Sequence, residues 1–183
     1  AISEFLYEHY RNQGCNVIRL PALVYDFADK DQVFRDRDAV KLRQVKLVFA
    51  GTTDFKDYLE PMLKAIRKIN NNEIKIIFDV VGPSPDAIER MLECSNLTQC
   101  GINCYGRLSH ENTLSIVRKA DFSVLMRENK RYAKAGVSTK FVEAMSLAVP
   151  SICTAVGGTD AFVSDGVDGI LIKDNSVHEV LDK

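Results

Sequence analysis

From Val45 onward, the sequence alternates short apolar runs with amphipathic segments, and this alternation limits the possible folds more than any other feature. The runs are apolar at nearly every position, as expected for strands that are buried on both faces. Between them, apolar residues recur three and four positions apart, which is the spacing of a helix with one buried side. This order predicts an α/β fold, with a doubly wound parallel sheet and helices on both faces. The predicted strands occupy residues 45–51, 74–82, 102–106, 121–126, 150–156 and 169–172.

The first 44 residues do not follow this alternation. They contain a helix-like segment (1–14), an extended segment stiffened by Pro21, and a charged connector that ends before the first strand. We therefore expect two units, residues 1–44 and residues 45–183, and interpret the chain as a fragment of a larger protein.

The composition excludes several classes of function. A net charge of −1 provides no broad basic surface for nucleic acid, and 46% hydrophobic with 27% charged residues is typical of a soluble globular protein. No apolar run approaches the roughly 18 residues of a membrane span, and no signal peptide is recognisable. We expect a cytoplasmic protein that has no nucleic-acid partner.

The five cysteines and three histidines are dispersed along the chain. The cysteine spacing matches no metal-binding pair, so we predict reduced structural thiols and no metal site. His9, His110 and His178 are predicted to be solvated surface residues.

Loops that follow strands are the expected ligand sites, because parallel sheets bind ligands beyond the carboxyl ends of their strands. The first such loop offers Gly51, the hydroxyls of Thr52 and Thr53, and the Lys56 cation near the next helix, a combination that suits phosphate. The loop is not a GxxxxGK[ST] motif, and the alternative is a structural turn. Arg107 follows the third strand and is a weaker candidate for binding a base or a phosphate, with a solvated loop arginine as the alternative.

A short helix is predicted over the segment STKFVEAMSLA. Ser138 or Thr139 can cap its start. Phe141, Met145 and Ala148 stand at positions i, i+4 and i+7 and predict a stripe that faces the core.

Lys140 and Glu143 lie three positions apart at the start of this helix. The helix dipole disfavours a cation in the first turn by about 0.3–1 kcal/mol unless an anion is present. Glu143 stands outside the position that completes a capping box. The two residues are therefore either ligand-binding groups or an exposed ion pair that contributes only a few tenths of a kcal/mol.

Four segments resemble, in this order, the donor-binding C-terminal domain of retaining GT-B glycosyltransferases of group 1, family 4. They are KLVFAGTTDFKDYLEPMLKAI, GRLSHENTLSIVRKADFSVLMRE, KAGVSTKFVEAMSLAVPSICTAVGG and VSDGVDGILI. The most specific part, TKFVEAMSLAVPSICT, is similar to the family's EAM helix and the strand after it. The resemblance implies a Rossmann-like, nucleotide-sugar-binding domain at 45–183. It assigns residues 1–44 to the end of an N-terminal domain and an interdomain linker.

The resemblance also implies roles for individual residues. Glu143 corresponds to the glutamate that binds the ribose hydroxyls of a nucleotide-sugar, and Lys56 to the lysine that pairs with the donor diphosphate. Lys140 fits a second diphosphate contact. The family's other glutamate, eight positions before Glu143, is replaced by Ala135, which indicates a subgroup that holds the donor sugar differently.

The implied function is transfer of a sugar from a nucleotide-sugar to a saccharide or lipid-linked acceptor, in cell-envelope polysaccharide synthesis. Lys56 and Lys140 would stabilise the charge that develops on the leaving diphosphate, so we expect neither a metal nor another cofactor. The acceptor would be bound by the missing N-terminal domain, and we expect the fragment to be inactive alone. The full-length protein is compatible with a peripheral position at the inner membrane face. The alternatives are a sugar-nucleotide epimerase of GT-B-like fold and, because of Ala135, a non-catalytic nucleotide-binding domain.

Overall fold

The computed structural model describes residues 1–20, 44–52 and 57–183. Within these residues, the strands are β1 (Val45–Ala50), β2 (Ile76–Val81), β3 (Ile102–Gly106), β4 (Phe122–Leu125), β5 (Ser151–Thr154) and β6 (Ile170–Ile172). The helices are α1 (Glu4–Asn12), α2 (Glu60–Ile69), α3 (Pro85–Leu92), α4 (His110–Val117), α5 (Arg131–Ala135), α6 (Thr139–Ser146) and α7 (Val177–Asp182). Two 3-10 turns cover Thr98–Cys100 and Thr159–Ala161.

The six strands form one parallel sheet in the order β3-β2-β1-β4-β5-β6. From β1 the chain first builds the sheet outward to β3, and it then returns to place β4 on the other side of β1. Open α/β sheets bind ligands at such a reversal, beyond the carboxyl ends of the strands. The predicted fold class and all six predicted strands are confirmed.

The side chains of β1 alternate between two layers of core. Leu47 and Phe49 point into the larger layer, where helices α2 and α3 cover the sheet, whereas Val48 points into a smaller layer with α4 and α6. Helices thus cover both faces, and Leu47, Val48 and Phe49 of β1 are buried on both sides of the sheet, as expected for a parallel sheet between two layers of helices.

Two helices begin at residues that are typical of helix starts. The Ser109 hydroxyl accepts a hydrogen bond from the backbone N–H of Asn112 over 3.3 Å and caps α4. Pro85 lies in the first turn of α3, where its missing N–H costs no helical hydrogen bond.

The predicted core stripe of α6 is only partly correct. Phe141 is buried as predicted, but Met145 and Ala148 are exposed, and Ala144 is the second buried residue of the helix. The helix ends at Ser146, and Ala148 already has a left-handed φ of 56°. The chain therefore leaves the helix before an i+7 residue reaches the sheet.

Helix α1 packs against α5, so the amino-terminal segment contacts the α/β unit. The Ser3 hydroxyl donates a hydrogen bond to the Ala135 carbonyl oxygen over 2.9 Å. The helix that the sequence predicts within residues 1–14 is confirmed as α1 (Glu4–Asn12). The predicted extended segment with Pro21 and most of the charged connector lie outside the described residues, so the division at residue 44 stays a prediction. In the described ranges, no helix has the length and apolar character needed to cross a membrane.

Candidate functional site

Three segments that are distant in sequence meet where the strand order reverses. Asp57 lies in the loop that leads from β1 to α2, Arg127 follows β4, and Lys140 lies in the first turn of α6. Their side chains form one connected group of charges, which we call the Asp57 cluster.

The Asp57 side chain is only 3% exposed and binds both cations. Arg127 Nε donates a hydrogen bond to Asp57 Oδ1 over 2.8 Å, and Lys140 Nζ donates one to Asp57 Oδ2. A buried carboxylate requires such partners, because an unpaired buried charge is costly. Two cations around one carboxylate leave the Asp57 cluster with an excess positive charge, which suits an anionic ligand.

Gly51 provides the space through which Lys140 reaches Asp57. A Cβ atom at position 51 would lie 2.1 Å from Lys140 Nζ. The ammonium also lies 5.4 Å from the centroid of the Phe49 ring, which is a cation–π contact. The group that uses the space left by Gly51 in this structure is therefore the Lys140 side chain.

Gly51 also packs against the loop that follows β2. A Cβ atom at Gly82 would lie 1.8 Å from the Gly51 carbonyl oxygen, and Gly82 has a φ of +117°. Position 82 therefore requires glycine for both space and backbone conformation.

Glu143 is paired with His110 instead of Lys140. His110 Nε2 lies 3.1 Å from Glu143 Oε1, and the two side chains are 64% and 30% exposed. The prediction that His110 is exposed is correct, but its pairing with Glu143 was not foreseen. Since Lys140 binds Asp57 and Glu143 binds His110, the simple ion pair between Lys140 and Glu143 is not formed among the described residues.

The start of α6 lacks a side-chain cap. Ser138 occupies the N-cap position, as predicted, but it makes no capping hydrogen bond. Ser138 as a whole is only 5% exposed. Its hydroxyl oxygen is buried and has no hydrogen-bond partner among the described residues. Uncapped N–H groups at a helix start favour an anion, and Lys140 adds a positive charge beside them.

Lys140 and Glu143 also line a small cavity below α6, together with Thr113 of α4. Its volume of about 30 Å³ corresponds to one water molecule. The cavity is therefore too small for a ligand much larger than a water molecule.

The loops after β1 and β4 are held together by a second group of polar side chains. Glu128 pairs with Lys130 and accepts a hydrogen bond from Tyr58. Lys130 first, and then Tyr58, lower the pKa of the Glu128 carboxyl, while Glu128 raises the pKa of the Tyr58 hydroxyl. The backbone N–H of Tyr58 also donates to the Met126 carbonyl oxygen over 2.8 Å. These contacts fix the loop that carries Asp57.

The structure thus brings Gly51, Lys140 and Glu143 to one region. Thr52 is exposed beside Gly51, and Arg107 is exposed after β3, three residues before His110. Thr53 and Lys56 lie outside the described residues, so their predicted roles stay predictions.

The sequence analysis gave no functional role to three residues of this region. Asp57 directly follows Lys56, and Arg127 follows a strand in the same way as Arg107, so the argument from strand ends would have selected both. His110 begins a helix after a strand, but its partner Glu143 lies 33 positions away. The spacing of residues in the sequence does not indicate a contact over that distance.

The family described as Glycosyl transferases group 1 matches residues 44–183. Two uncharacterized glycosyltransferases of Methanocaldococcus jannaschii are similar in sequence. One is 26% identical over 98% of this chain and 45% of its own length, and the other is 29% identical over 74% of this chain and 36% of its own length. The chain spans less than half the length of these curated relatives.

Solved structures share the fold. A glycosyltransferase from Rickettsia africae has a TM-score of 0.71 at 12% identity, over 100% of this chain and 50% of that protein. WaaG, a glycosyltransferase involved in lipopolysaccharide biosynthesis, has a TM-score of 0.64 at 17% identity, over 90% of this chain and 45% of that protein. At these identities the likeness establishes the α/β architecture of the chain.

Proposed function

The chain belongs to the group 1 glycosyl transferases, and from this premise we propose that it is the donor-binding part of a retaining glycosyltransferase. The complete enzyme would transfer a sugar from a nucleotide-sugar to a saccharide or lipid-linked acceptor. A structural neighbour that acts in lipopolysaccharide biosynthesis supports an envelope polysaccharide as the product. With a lipid-linked acceptor, the enzyme would act at the cytoplasmic face of the membrane.

The observation that carries the proposal is the convergence of Lys140, Glu143 and the uncapped start of α6 at the carboxyl ends of β1 and β4. The ammonium and the free N–H groups suit a diphosphate. An ionised carboxylate can accept hydrogen bonds from both hydroxyls of a ribose, which suits Glu143. Lys140 therefore suits the diphosphate of a nucleoside diphosphate, and Glu143 suits its ribose.

In the proposed reaction, the bond between the sugar and the diphosphate breaks, and negative charge develops on the leaving diphosphate. Lys140 would stabilise that charge together with the N–H groups of α6, and Lys56 would contribute from the loop after β1. Asp57 and Arg127 would hold the Lys140 side chain at the correct place before the donor binds. Since these cations provide the charge stabilisation, the proposed reaction uses no metal.

We assign the acceptor to a further domain, N-terminal to residues 45–183. The chain alone should then bind nucleoside diphosphates without transferring sugar. The epimerase alternative differs in the fate of the sugar, which would remain on the nucleotide with one inverted carbon. A non-catalytic domain would bind the nucleotide, but the complete protein would leave the nucleotide-sugar unchanged.

Calorimetric titration with UDP, GDP and ADP, and with the matching nucleosides, tests the donor site. We expect at least one diphosphate to bind more tightly than its nucleoside. Removal of a charged hydrogen-bond contact costs about 1.5–3 kcal/mol, so Lys140→Met should weaken diphosphate binding by roughly 10- to 150-fold. The nucleoside should be affected much less.

Glu143→Gln should instead reduce the preference for ribose over 2′-deoxyribose, because the ionised carboxylate is the stronger acceptor. Lys64→Met is the matched control, since Lys64 pairs with Glu60 on α2, on the surface. Thermal melts establish that each variant is folded, and Asp57→Asn combined with Lys140→Met leaves the net charge of the Asp57 cluster unchanged. The assignment fails if no diphosphate binds at millimolar concentration, or if folded Lys140 and Glu143 variants bind within about twofold of the wild type.

A further inference from the structure

Two cysteines approach each other at the end of α3, away from the carboxyl ends of the strands. Cys94 Sγ and Cys100 Sγ are 3.6 Å apart, although the residues are six positions apart in sequence. Glu93, with a left-handed φ of 50°, ends α3 directly before Cys94, and the 3-10 turn Thr98–Cys100 brings the chain back toward β3. Formation of an S–S bond of about 2.05 Å would require the two sulfur atoms to move together by only roughly 1.5 Å.

The two thiols have different surroundings. Cys94 opens into a surface hollow, whose other lining residues are Asp86, Glu89, Arg90, Glu93 and Ser95. Both residues pack against the larger core layer, but Cys100 does not line this hollow. Burial and the neighbouring Cys94 raise the pKa of the Cys100 thiol, while the Arg67 guanidinium acts in the opposite direction. Arg67 is fixed there by a hydrogen bond of 2.6 Å from Nη1 to the Leu92 carbonyl oxygen.

From this geometry we propose that Cys94 and Cys100 form a modification site, at which a small organic disulfide oxidises the two thiols to one intramolecular disulfide. The Cys94 thiolate attacks a sulfur of the small disulfide, forms a mixed disulfide, and releases a thiolate that takes up the proton lost by Cys94. The Cys100 thiolate then attacks the Cys94 sulfur. The second small thiol leaves with the proton of Cys100, so two protein thiols are oxidised and one disulfide is reduced to two thiols.

The hollow beside Cys94 determines which disulfide reacts best. Three carboxylates and one guanidinium give it a negative charge. A cationic disulfide such as cystamine is attracted to this surface, and the anionic disulfide of glutathione is repelled. Cystamine should therefore react faster, and added salt should reduce the difference.

The remaining cysteines lack this arrangement. Cys15 is exposed, and Cys153 is buried, with a pKa raised by burial to about 11. The Cys104 thiol donates a hydrogen bond to the Pro83 carbonyl oxygen over 3.3 Å. We expect Cys15 to form only a mixed disulfide, and Cys104 and Cys153 to stay reduced.

The test treats the folded wild-type chain with cystamine, alkylates the remaining thiols and identifies the products by mass spectrometry. Trypsin leaves Cys94, Cys100 and Cys104 in one peptide, residues 91–107. We expect this peptide to lose two hydrogens, about 2 Da, and to carry a single alkyl group, on Cys104. Treatment with glutathione disulfide at equal concentration should give the same product more slowly.

Variants check the order of the steps. Cys100→Ser should accumulate the mixed disulfide at Cys94, whereas Cys15→Ser should form the intramolecular disulfide like the wild type. An alkyl group on Cys94 or Cys100 after prolonged treatment, a bond to Cys104, or a stable mixed disulfide at Cys94 of the wild type would overturn the proposal. Equal rates with cystamine and glutathione disulfide would overturn the role of the acidic hollow. Because the wild-type peptide carries the main result, the test does not depend on the folding of a variant.

Discussion

At position 51, a hydrogen atom in place of a side chain lets Lys140 reach Asp57. We predict that Gly51→Ala folds, because the atom displaced by the new methyl group is the far end of a flexible lysine. The Lys140 ammonium would lose its hydrogen bond to Asp57. Binding of the preferred nucleoside diphosphate should then weaken by about tenfold or more. Calorimetry and urea unfolding measure the two effects separately.

Gly82→Ala is the matched control for this substitution. Its methyl group would meet a backbone oxygen, and its φ of +117° is unfavourable for alanine, so we expect a loss of about 1–3 kcal/mol or more in the free energy of unfolding. Equal destabilisation by the two substitutions would contradict the different roles of the two glycines.

His110 is predicted to position Glu143 for the ribose. Loss of its hydrogen bond in His110→Ala should reduce the preference for ribose over 2′-deoxyribose, while binding of inorganic pyrophosphate stays unchanged. His110→Gln retains a donor group and should restore much of the preference. The matched control is His178→Ala, since His178 is exposed and pairs with Asp182 on α7. A His110→Ala variant with full ribose preference would exclude the positioning role.

Burial raises the pKa of the Cys100 thiol, and this predicts how disulfide closure depends on pH. The attacking thiolate becomes more abundant as the pH rises toward that pKa, so closure should accelerate by up to about tenfold per pH unit above neutrality. Quenched samples at pH 7, 8 and 9, analysed by mass spectrometry, give the closure rate. A rate that is independent of pH would contradict the assignment of Cys100 as the second attacking thiol.

At the scale of elements, the Asp57 cluster connects the loop after β1, the loop after β4 and the start of α6. Asp57→Ala leaves two cations without their carboxylate, and we expect it to lower the free energy of unfolding by about 3–5 kcal/mol. Asp57→Asn with Lys140→Met should lower it less, because it removes opposite charges together. Urea unfolding measures each change, and Glu60→Ala, which breaks an exposed pair with Lys64, should cost about 0–1 kcal/mol. A similar small loss in Asp57→Ala would show that the cluster does not hold the three segments.

The regular elements were predictable because their signals are local. The apolar run 102–106 coincides with β3, and Ser109 caps α4 where the sequence places it. The stripe of α6 was predicted incorrectly because it assumed a helix that continues to Ala148, whereas the helix ends at Ser146. Helix length, which depends on where the chain must turn back into β5, is not contained in the spacing of apolar residues.

The site was predictable only in part, for a different reason. Helical position identified Lys140 and Glu143 as unusual, but their partners lie 83 and 33 residues away. Cys94 and Cys100 are close in sequence, yet their contact depends on the left-handed Glu93. Such contacts follow from tertiary packing, which a single sequence does not reveal.

At the scale of the whole molecule, ligand binding should stabilise the α/β unit by mass action. A nucleoside diphosphate at 100 times its dissociation constant should raise the free energy of unfolding by about 2.7 kcal/mol. Hydrogen exchange should slow in the loops after β1 and β4 and at the start of α6. Protection that instead centres on the opposite ends of the strands would place the ligand elsewhere.

The contact between Gly51 and Lys140 also has an evolutionary consequence. Any side chain at position 51 would occupy the space of the lysine ammonium, so a substitution there displaces the lysine from Asp57 unless the lysine has already been replaced by a shorter residue. The two positions should therefore covary among relatives of this chain, even though 89 positions separate them in the sequence. Lineages that have lost the lysine should accept alanine or serine at position 51, whereas position 82 should remain glycine in both groups, because its neighbour is backbone.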